Sequence, residues 1–204
     1  MWHPCFDDPG VESVRSEVKA ALVFGIALYP DPSRASDVTW EQIGGRHIEV
    51  ALSQTRRVQI DEGIFTDQHR WRFNISPAAN GAIRYSRQDF GQWLDRPGNH
   101  KPYTSPVGSA DTALGKVHPN PDGLGTAVWT FESGRLIRLS VETVGSKGRL
   151  FTISFVQNGE ALACNADIAD VGEQGKGKTW INPKGQKRKL VAILKHSTTC
   201  KVKQ

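Results

Sequence analysis

The feature that most constrains the fold is an alternation of apolar and polar residues in short runs bounded by Gly and Asn. It is clearest from Thr126 to Asp167, where four such runs are separated by turn segments. Alternation with a period of two is typical of strands with one buried face. The dipeptides Asn80-Gly81 and Asn158-Gly159 favour type I′ hairpin turns, whose two central residues both take a positive φ. The sequence therefore predicts a mainly β protein built as an antiparallel meander.

The same pattern predicts about eight to ten strands. We expect them at 38–43, 47–53, 70–76, 82–86, 126–131, 136–143, 150–156, 160–167, 190–196 and 198–202. Between the halves 38–95 and 126–204, the segment 96–125 contains five prolines, so we expect a long irregular connection there. The chain thus reads as a single β domain over 36–204.

Two blocks of sequence recur in the same order in both halves. The first begins at Trp40 and at Trp129 and aligns Trp, Gly, Arg and Ile without a gap; the second covers 73–81 and 151–159. These matches predict an internally duplicated domain. Two four-stranded units favour a closed barrel, because closure removes exposed sheet edges, with a two-sheet β-sandwich as the alternative.

An uncharged run from Ala20 to Leu28 follows Arg15 and Lys19 and precedes a break at Pro30. This order is typical of a secretory signal peptide, so we expect one over 1–35, with cleavage after Ala35. The four acidic residues before the run are unusual in such a peptide, and a translation start at Val11 or Val14 would remove two or three of them, respectively. The alternative is a short helix of a cytoplasmic domain.

Cleavage after residue 35 would remove Cys5 and leave Cys164 and Cys200. An even pair suits one disulfide in an oxidising compartment, so we expect this bridge in a periplasmic or secreted protein. Two separately buried thiols are the alternative. The spacing is unsuited to zinc, and the six scattered histidines show no metal-binding motif, so no metal or other cofactor is predicted.

The net charge of +5 arises at the C-terminal end, where nine Lys and Arg residues follow position 175 without an acidic residue. The candidate anion-binding residues of the segment 176–189 are Lys176, Lys178, Lys184, Lys187, Arg188 and Lys189. They could hold phosphates or acidic polysaccharide by Coulomb attraction, or protect a sheet edge as solvated lysines. Nucleic acid is not expected, because few aromatic residues lie among the basic ones.

The tryptophans offer a second candidate site. Trp40, Trp71, Trp129 and Trp180 could line a ligand cavity at the mouth of a small barrel. They could equally be core residues. The carboxylates Asp61, Glu62 and Asp67, near Arg70 and Arg72, are interpreted as an exposed hairpin of mixed charge, with an ion site as the alternative.

The C-terminal part resembles a group of known sequences. Leu162-Ala163-Cys164 after a hairpin, followed by Ser197-Thr198-Thr199-Cys200-Lys201-Val202, is similar to uncharacterised small secreted proteins of rhizobial-type bacteria. The resemblance implies export and a disulfide, and it implies no catalytic residues.

No catalytic motif is present, so the sequence favours a non-enzymatic binding or interaction protein. The ligand would be a small apolar molecule or a glycan in an aromatic-lined cavity, or an anionic polymer on the basic segment. An enzyme whose site assembles only in space is the remaining alternative.

Overall fold

A computed structural model describes residues 38–98, 100–123, 125–141, 149–170, 179–181 and 185–203. In this part of the chain the elements are α1 (Trp40–Ile43), β1 (His47–Ile60), β2 (Gly63–Pro77), β3 (Ala82–Trp93), β4 (Tyr103–Thr104), β5 (Gly108–Ala113), β6 (His118–Pro119), β7 (Thr126–Glu132), β8 (Arg135–Val141), β9 (Arg149–Asn158), β10 (Ala161–Asp170), β11 (Thr179–Ile181) and β12 (Lys187–Lys203). The prediction of a mainly β, antiparallel protein is confirmed. The signal peptide predicted over 1–35 lies outside the described residues. Among the described residues, no helix is long and apolar enough to cross a membrane.

The strands form two antiparallel sheets. The larger sheet has the order β11-β12-β1-β2-β3-β4, with β5 also paired to β3, and the smaller has the order β10-β9-β8-β7-β6. No pairing among the described strands closes either sheet, so the predicted barrel is wrong and the sandwich alternative fits. One edge of the smaller sheet ends at Pro119, which lacks the N–H needed to continue a ladder.

Large apolar side chains from both sheets meet in one core. Phe73 of β2 stacks on Phe151 of β9, with ring centroids 4.7 Å apart, and Tyr85 of β3 packs edge-on against Trp129 of β7 at 5.4 Å. The predicted disulfide is confirmed: Cys164 of β10 is bonded to Cys200 of β12, with the Cα atoms 5.5 Å apart. The bridge therefore ties the edge strand of the smaller sheet to the larger sheet.

Two turns differ from the predicted type. Gly81 and Gly159 take a positive φ, but Asn80 and Asn158 do not. In the second hairpin Asn158 pairs with Ala161, so the central residues are Gly159 and Glu160, and Glu160 also lacks a positive φ. Neither hairpin therefore has a type I′ turn. The turn between β7 and β8 has both central residues, Ser133 and Gly134, at positive φ, as type I′ requires.

The segment 38–43, predicted as a strand, contains the helical turn α1. The backbone N–H of Thr39 donates to the side-chain oxygen of Gln42 at 2.7 Å, an interaction typical of a helix start. The repeated block at Trp40 therefore begins in a helical turn, whereas the block at Trp129 lies in a strand. The blocks at 73–81 and 151–159 both run from a strand into a hairpin. Internal duplication stays a prediction.

Candidate functional sites

The outer face of the larger sheet is polar because alternate residues of β1, β2, β3 and β12 point away from the core. Across neighbouring strands, Lys201, Glu49, Asn74 and Ser86 form one row, and Thr199, Ala51, Arg72 and Gln88 form the next. In the second row the short side chains of Thr199 and Ala51 lie beside the long ones of Arg72 and Gln88. The result is a depression of about 410 Å³, which we call the outer trough.

Two arginines of β2 lie at the outer trough: Arg72 lines it, and Arg70 lies two residues away on the same face of the strand. The guanidinium carbon of Arg70 lies 5.3 Å from the centroid of the Phe90 ring, and that of Arg72 lies 5.0 Å from it. Both side chains belong to exposed residues, and Arg72 also lines the trough. Stacking on an aromatic ring orders a guanidinium group while its N–H donors remain available.

Three other cations on this face are paired with carboxylates, whereas Lys201, which also lines the trough, has no carboxylate oxygen within 4.0 Å among the described residues. Lys203 Nζ lies 2.7 Å from Glu49 Oε1, Arg84 Nε lies 2.7 Å from Asp111 Oδ1, and Arg57 Nη1 lies 3.2 Å from Asp95 Oδ2. Within the described chain, no carboxylate oxygen lies within 4.0 Å of Arg70 or Arg72. These two arginines, ordered by Phe90 and without a carboxylate partner among the described residues, are therefore placed to receive an external anion, with Lys201 as a further cation of the trough.

The inner face of the larger sheet carries a second group of polar residues, beyond the apolar core. We call it the charged band, and it consists of Arg56, Asp67, His69, Arg87, Asp89 and Asp122. Arg56 Nε donates to Asp67 Oδ2 at 2.9 Å, and Arg56 Nη2 lies 2.7 Å from the same oxygen. Both side chains are at most 5% exposed. A buried pair of this kind compensates the desolvation of each charge, so removing either partner is costly.

His69 lies between two carboxylates in the charged band. Its Nδ1 is 4.0 Å from Asp67 Oδ2, its Nε2 is 3.7 Å from Asp89 Oδ2, and its ring packs on Trp71 at 4.4 Å. Burial, helped by the positive charge of Arg56, lowers the pKa of His69 to about 4, against the opposing effect of the two carboxylates. His69 is therefore neutral at pH 7.

Arg87 continues the charged band towards the loop after β6. Its Nε and Nη2 donate to the two oxygens of Asp89 at 2.7 and 2.6 Å, and its Nη1 lies 2.6 Å from Asp122 Oδ2. The pKa of Asp89 is held well below its usual range, because hydrogen bonds from His69 and Arg87 and the charge of Arg87 outweigh the effect of burial.

The smaller sheet contributes a further set of buried polar residues. Arg138 of β8 is 3% exposed, lies over the Tyr85 ring at 5.5 Å and donates from Nη2 to Asn120 Oδ1. His118 packs edge-on against the same ring at 5.5 Å. Burial lowers the pKa of both Arg138 and His118. In the described part of the chain, no three His, Cys, Asp or Glu side chains are grouped so that they could bind a metal ion.

The structure places the predicted basic residues unevenly. Lys176, Lys178 and Lys184 lie outside the described residues. Lys187 and Lys189 are exposed at the start of β12, whereas Arg188 between them is partly buried, with its guanidinium 5.3 Å from the Trp93 ring. Burial lowers the pKa of Arg188. The anion-binding role of this segment stays a prediction.

The predicted tryptophans lie mostly in the core. Trp71 and Trp129 are buried, and Trp40 packs on Phe131 while its Nε1 donates to the Ala78 carbonyl at 2.9 Å. The side chain of Trp180 is not among those described. None of the three described tryptophans lines the outer trough.

The interpretation of the acidic hairpin needs a correction at one residue. Asp61 and Glu62 are exposed in the turn between β1 and β2, but Asp67 is buried with Arg56. The sequence indicates this burial through the even spacing of both residues from apolar positions of the same strands. Arg56 is four residues after the buried Leu52, and Asp67 four before the buried Trp71, so alternation places both on the inner face.

The comparisons with known proteins give no relative from which a role could be transferred. No protein-family model matches the chain, and neither a curated protein sequence nor a solved structure is significantly similar to it.

Proposed function

We propose that this chain is a non-enzymatic binding protein for an anionic polysaccharide, which it holds in the outer trough. The observation that carries the proposal is the pair Arg70 and Arg72, both stacked on Phe90 and neither paired with a carboxylate of the described chain. Guanidinium groups bind carboxylate and sulfate groups in a forked geometry, and their order before binding reduces the entropy cost.

The rest of the trough fits the uncharged part of such a ligand. Asn74, Gln88, Ser86 and Thr199 supply amide and hydroxyl groups that both donate and accept hydrogen bonds, as sugar hydroxyls do. The trough lies on the solvent-facing side of the sheet and is open, which suits a polymer better than a compact small molecule. The aromatic-lined cavity receives less support, because Trp71 and Trp129 are occupied in core packing.

Retention on an immobilised polyuronate, with neutral dextran as the reference matrix, tests the proposal. We expect Arg70→Ala/Arg72→Ala to raise the dissociation constant about tenfold or more, since hydrogen bonds to charged groups are each worth about 1.5–3 kcal/mol. Arg46→Ala/Arg135→Ala removes the same charge elsewhere and should bind almost as wild type. If both double variants weaken binding equally, the interaction depends on net charge alone, and that result would contradict a site in the trough.

The basic segment of β12 is tested in the same assay. If the polymer extends along the sheet edge, Lys187→Ala/Lys189→Ala will also weaken retention, and the effect will add to that of the trough variant. Wild-type retention by this variant confines the ligand to the trough.

An enzymatic function is the second candidate, favoured by His69 between Asp67 and Asp89. General-base catalysis needs a nucleophile or water within hydrogen-bond reach. In the described chain no hydroxyl group is hydrogen-bonded to His69. Chain-length analysis of the bound polysaccharide decides between the two functions: shortening by wild type and not by His69→Gln would establish the enzyme.

Export to the periplasm or medium is part of the proposal. The Cys164–Cys200 bridge supports it, because such bonds persist mainly in oxidising compartments. The intact mass of the protein recovered from the exporting host tests it directly. A chain that begins at Ser36 and is alkylated at two thiols only after reduction is expected; a full-length chain with three free thiols would overturn export.

A further inference from the structure

Arg138 carries a positive charge into the interior, and no carboxylate of the described residues forms an ion pair with it. It is 3% exposed, and its hydrogen-bond partner is the uncharged side chain of Asn120. The carboxylate of Asp122 attracts Arg138 from beyond ion-pair distance, and its contact at 2.6 Å is with Arg87. Within the described chain no carboxylate lies within 4.0 Å of Arg138. A buried cation that lacks a counter-charge is strongly unfavourable.

The side chains around Arg138 share a second property. Buried atoms without a hydrogen-bond partner are Arg138 Nε, Trp129 Nε1, Tyr85 Oη and His118 Nε2. All four residues are at least nine-tenths buried, and Trp129 lies directly opposite Arg138 in the β7–β8 ladder. The Tyr85 ring contacts the other three, at 5.4 Å from Trp129 and 5.5 Å from both His118 and the Arg138 guanidinium.

The chemistry of these atoms is biased towards donors. The Trp129 and Arg138 N–H groups can only donate, and the Tyr85 hydroxyl can donate. His118 Nδ1 is 2.9 Å from the Pro119 carbonyl oxygen and donates to it, which leaves Nε2 as the one acceptor when the ring is neutral. Buried polar atoms without partners are rare in native proteins, so four in contact need an explanation.

We propose that this cluster is a binding site for a small inorganic anion of chloride size, held by Arg138 with Trp129 and Tyr85 as further donors. A single anion accepts from several donors and also balances the charge of Arg138. A water molecule could satisfy the same donors but would add no negative charge next to Arg138. The burial of all four residues excludes a larger organic anion. The site lies between the sheets, and the proposal does not depend on the function of the outer trough.

The test measures the thermal unfolding midpoint in increasing sodium chloride, with sodium gluconate replacing it to hold ionic strength constant. An anion that binds only the folded state raises the midpoint with concentration. We expect chloride to raise it in wild type, and Arg138→Met to abolish the dependence. Arg84→Met, which removes an exposed charge of the outer face, should keep it. Tyr85→Phe retains the ring and should lower the affinity for chloride about fivefold, the effect of losing one hydrogen bond.

Two results would overturn the proposal. One is a wild-type midpoint that depends on ionic strength alone, which would assign the interior donors to water. The other is an undiminished chloride dependence in Arg138→Met, which would place the anion elsewhere. If Arg138→Met does not fold, Tyr85→Phe decides, and a chloride affinity equal to that of wild type would refute the site.

Discussion

Lowering the pH from 7.5 towards 4.5 should destabilise this protein through His69. The pKa of His69 is about 4 in the folded protein, against 6.5 for an ordinary histidine. His69 is therefore protonated near pH 6.5 in the unfolded chain but only near pH 4 in the folded protein. Because the unfolded state binds more protons in this window, stability is fully present above pH 6.5 and falls as the pH drops.

The size of the effect follows from the two pKa values. Between pH 7.5 and 4.5 the linkage relation gives a loss of about 2.5 kcal/mol in the free energy of unfolding. Asp89 acts in a different window: its pKa is depressed, so its contribution is lost only as the pH falls below about 4. His118 also has a lowered pKa and adds to the loss in wild type. A comparison with His69→Gln isolates the contribution of His69.

Urea unfolding followed by circular dichroism at half-unit pH steps, at constant ionic strength, measures the effect. His69→Gln keeps a polar side chain next to Asp67 and Asp89 but removes the titration. We expect wild type to lose about 2.5 kcal/mol more than His69→Gln between pH 7.5 and 4.5. Equal losses in the two proteins would show that His69 is as easily protonated in the folded state as in the unfolded chain, and would refute the reasoning.

Three further predictions concern stability. Reduction of the Cys164–Cys200 bridge, 36 residues apart in sequence, should lower the free energy of unfolding by about 4 kcal/mol in the chain-entropy model, as measured by urea titration. Asp67→Asn should cost about 3–5 kcal/mol by leaving Arg56 buried without its counter-charge, and Arg56→Met/Asp67→Leu should cost less than the single change. Gly108→Ala should lower the thermal midpoint sharply, because its Cβ would lie 2.3 Å from a backbone carbonyl oxygen of the loop after β6.

The hairpins of the second half could be predicted because their signals are local. In 126–167 the alternation and the turn glycines give the strands and their order within a few residues. The first half is harder. The strand predicted at 47–53 in fact continues to Ile60. The prediction ended too early because the inward positions after Leu52 are occupied by Gln54 and Arg56, which interrupt the apolar alternation. The partner of Arg56 is Asp67 on the next strand, which the sequence alone does not identify.

The choice between barrel and sandwich depends on contacts between edges that are distant in sequence. Hairpin signals describe neighbours along the chain and are the same in both folds. In the structure, β10 meets β12 through the Cys164–Cys200 bridge instead of a ladder of hydrogen bonds. The cysteine pair was predictable from its even number, but its position between two sheet edges was not.

The outer trough and the charged band lie on opposite faces of the same strands, because successive residues of a strand point to opposite faces. Arg70 and Arg72 point outward on either side of Trp71, which points into the core, and Phe90 points outward directly after the inward Asp89. Substituting the two arginines removes contacts with Phe90 but leaves the inner packing in place. Exposed substitutions of this kind usually change stability by about 0.5 kcal/mol or less, and a cation–π contact at an exposed site adds about 0.5–1 kcal/mol. A tenfold loss of polysaccharide binding in Arg70→Ala/Arg72→Ala would therefore reflect the loss of contacts to the ligand and not unfolding of the protein.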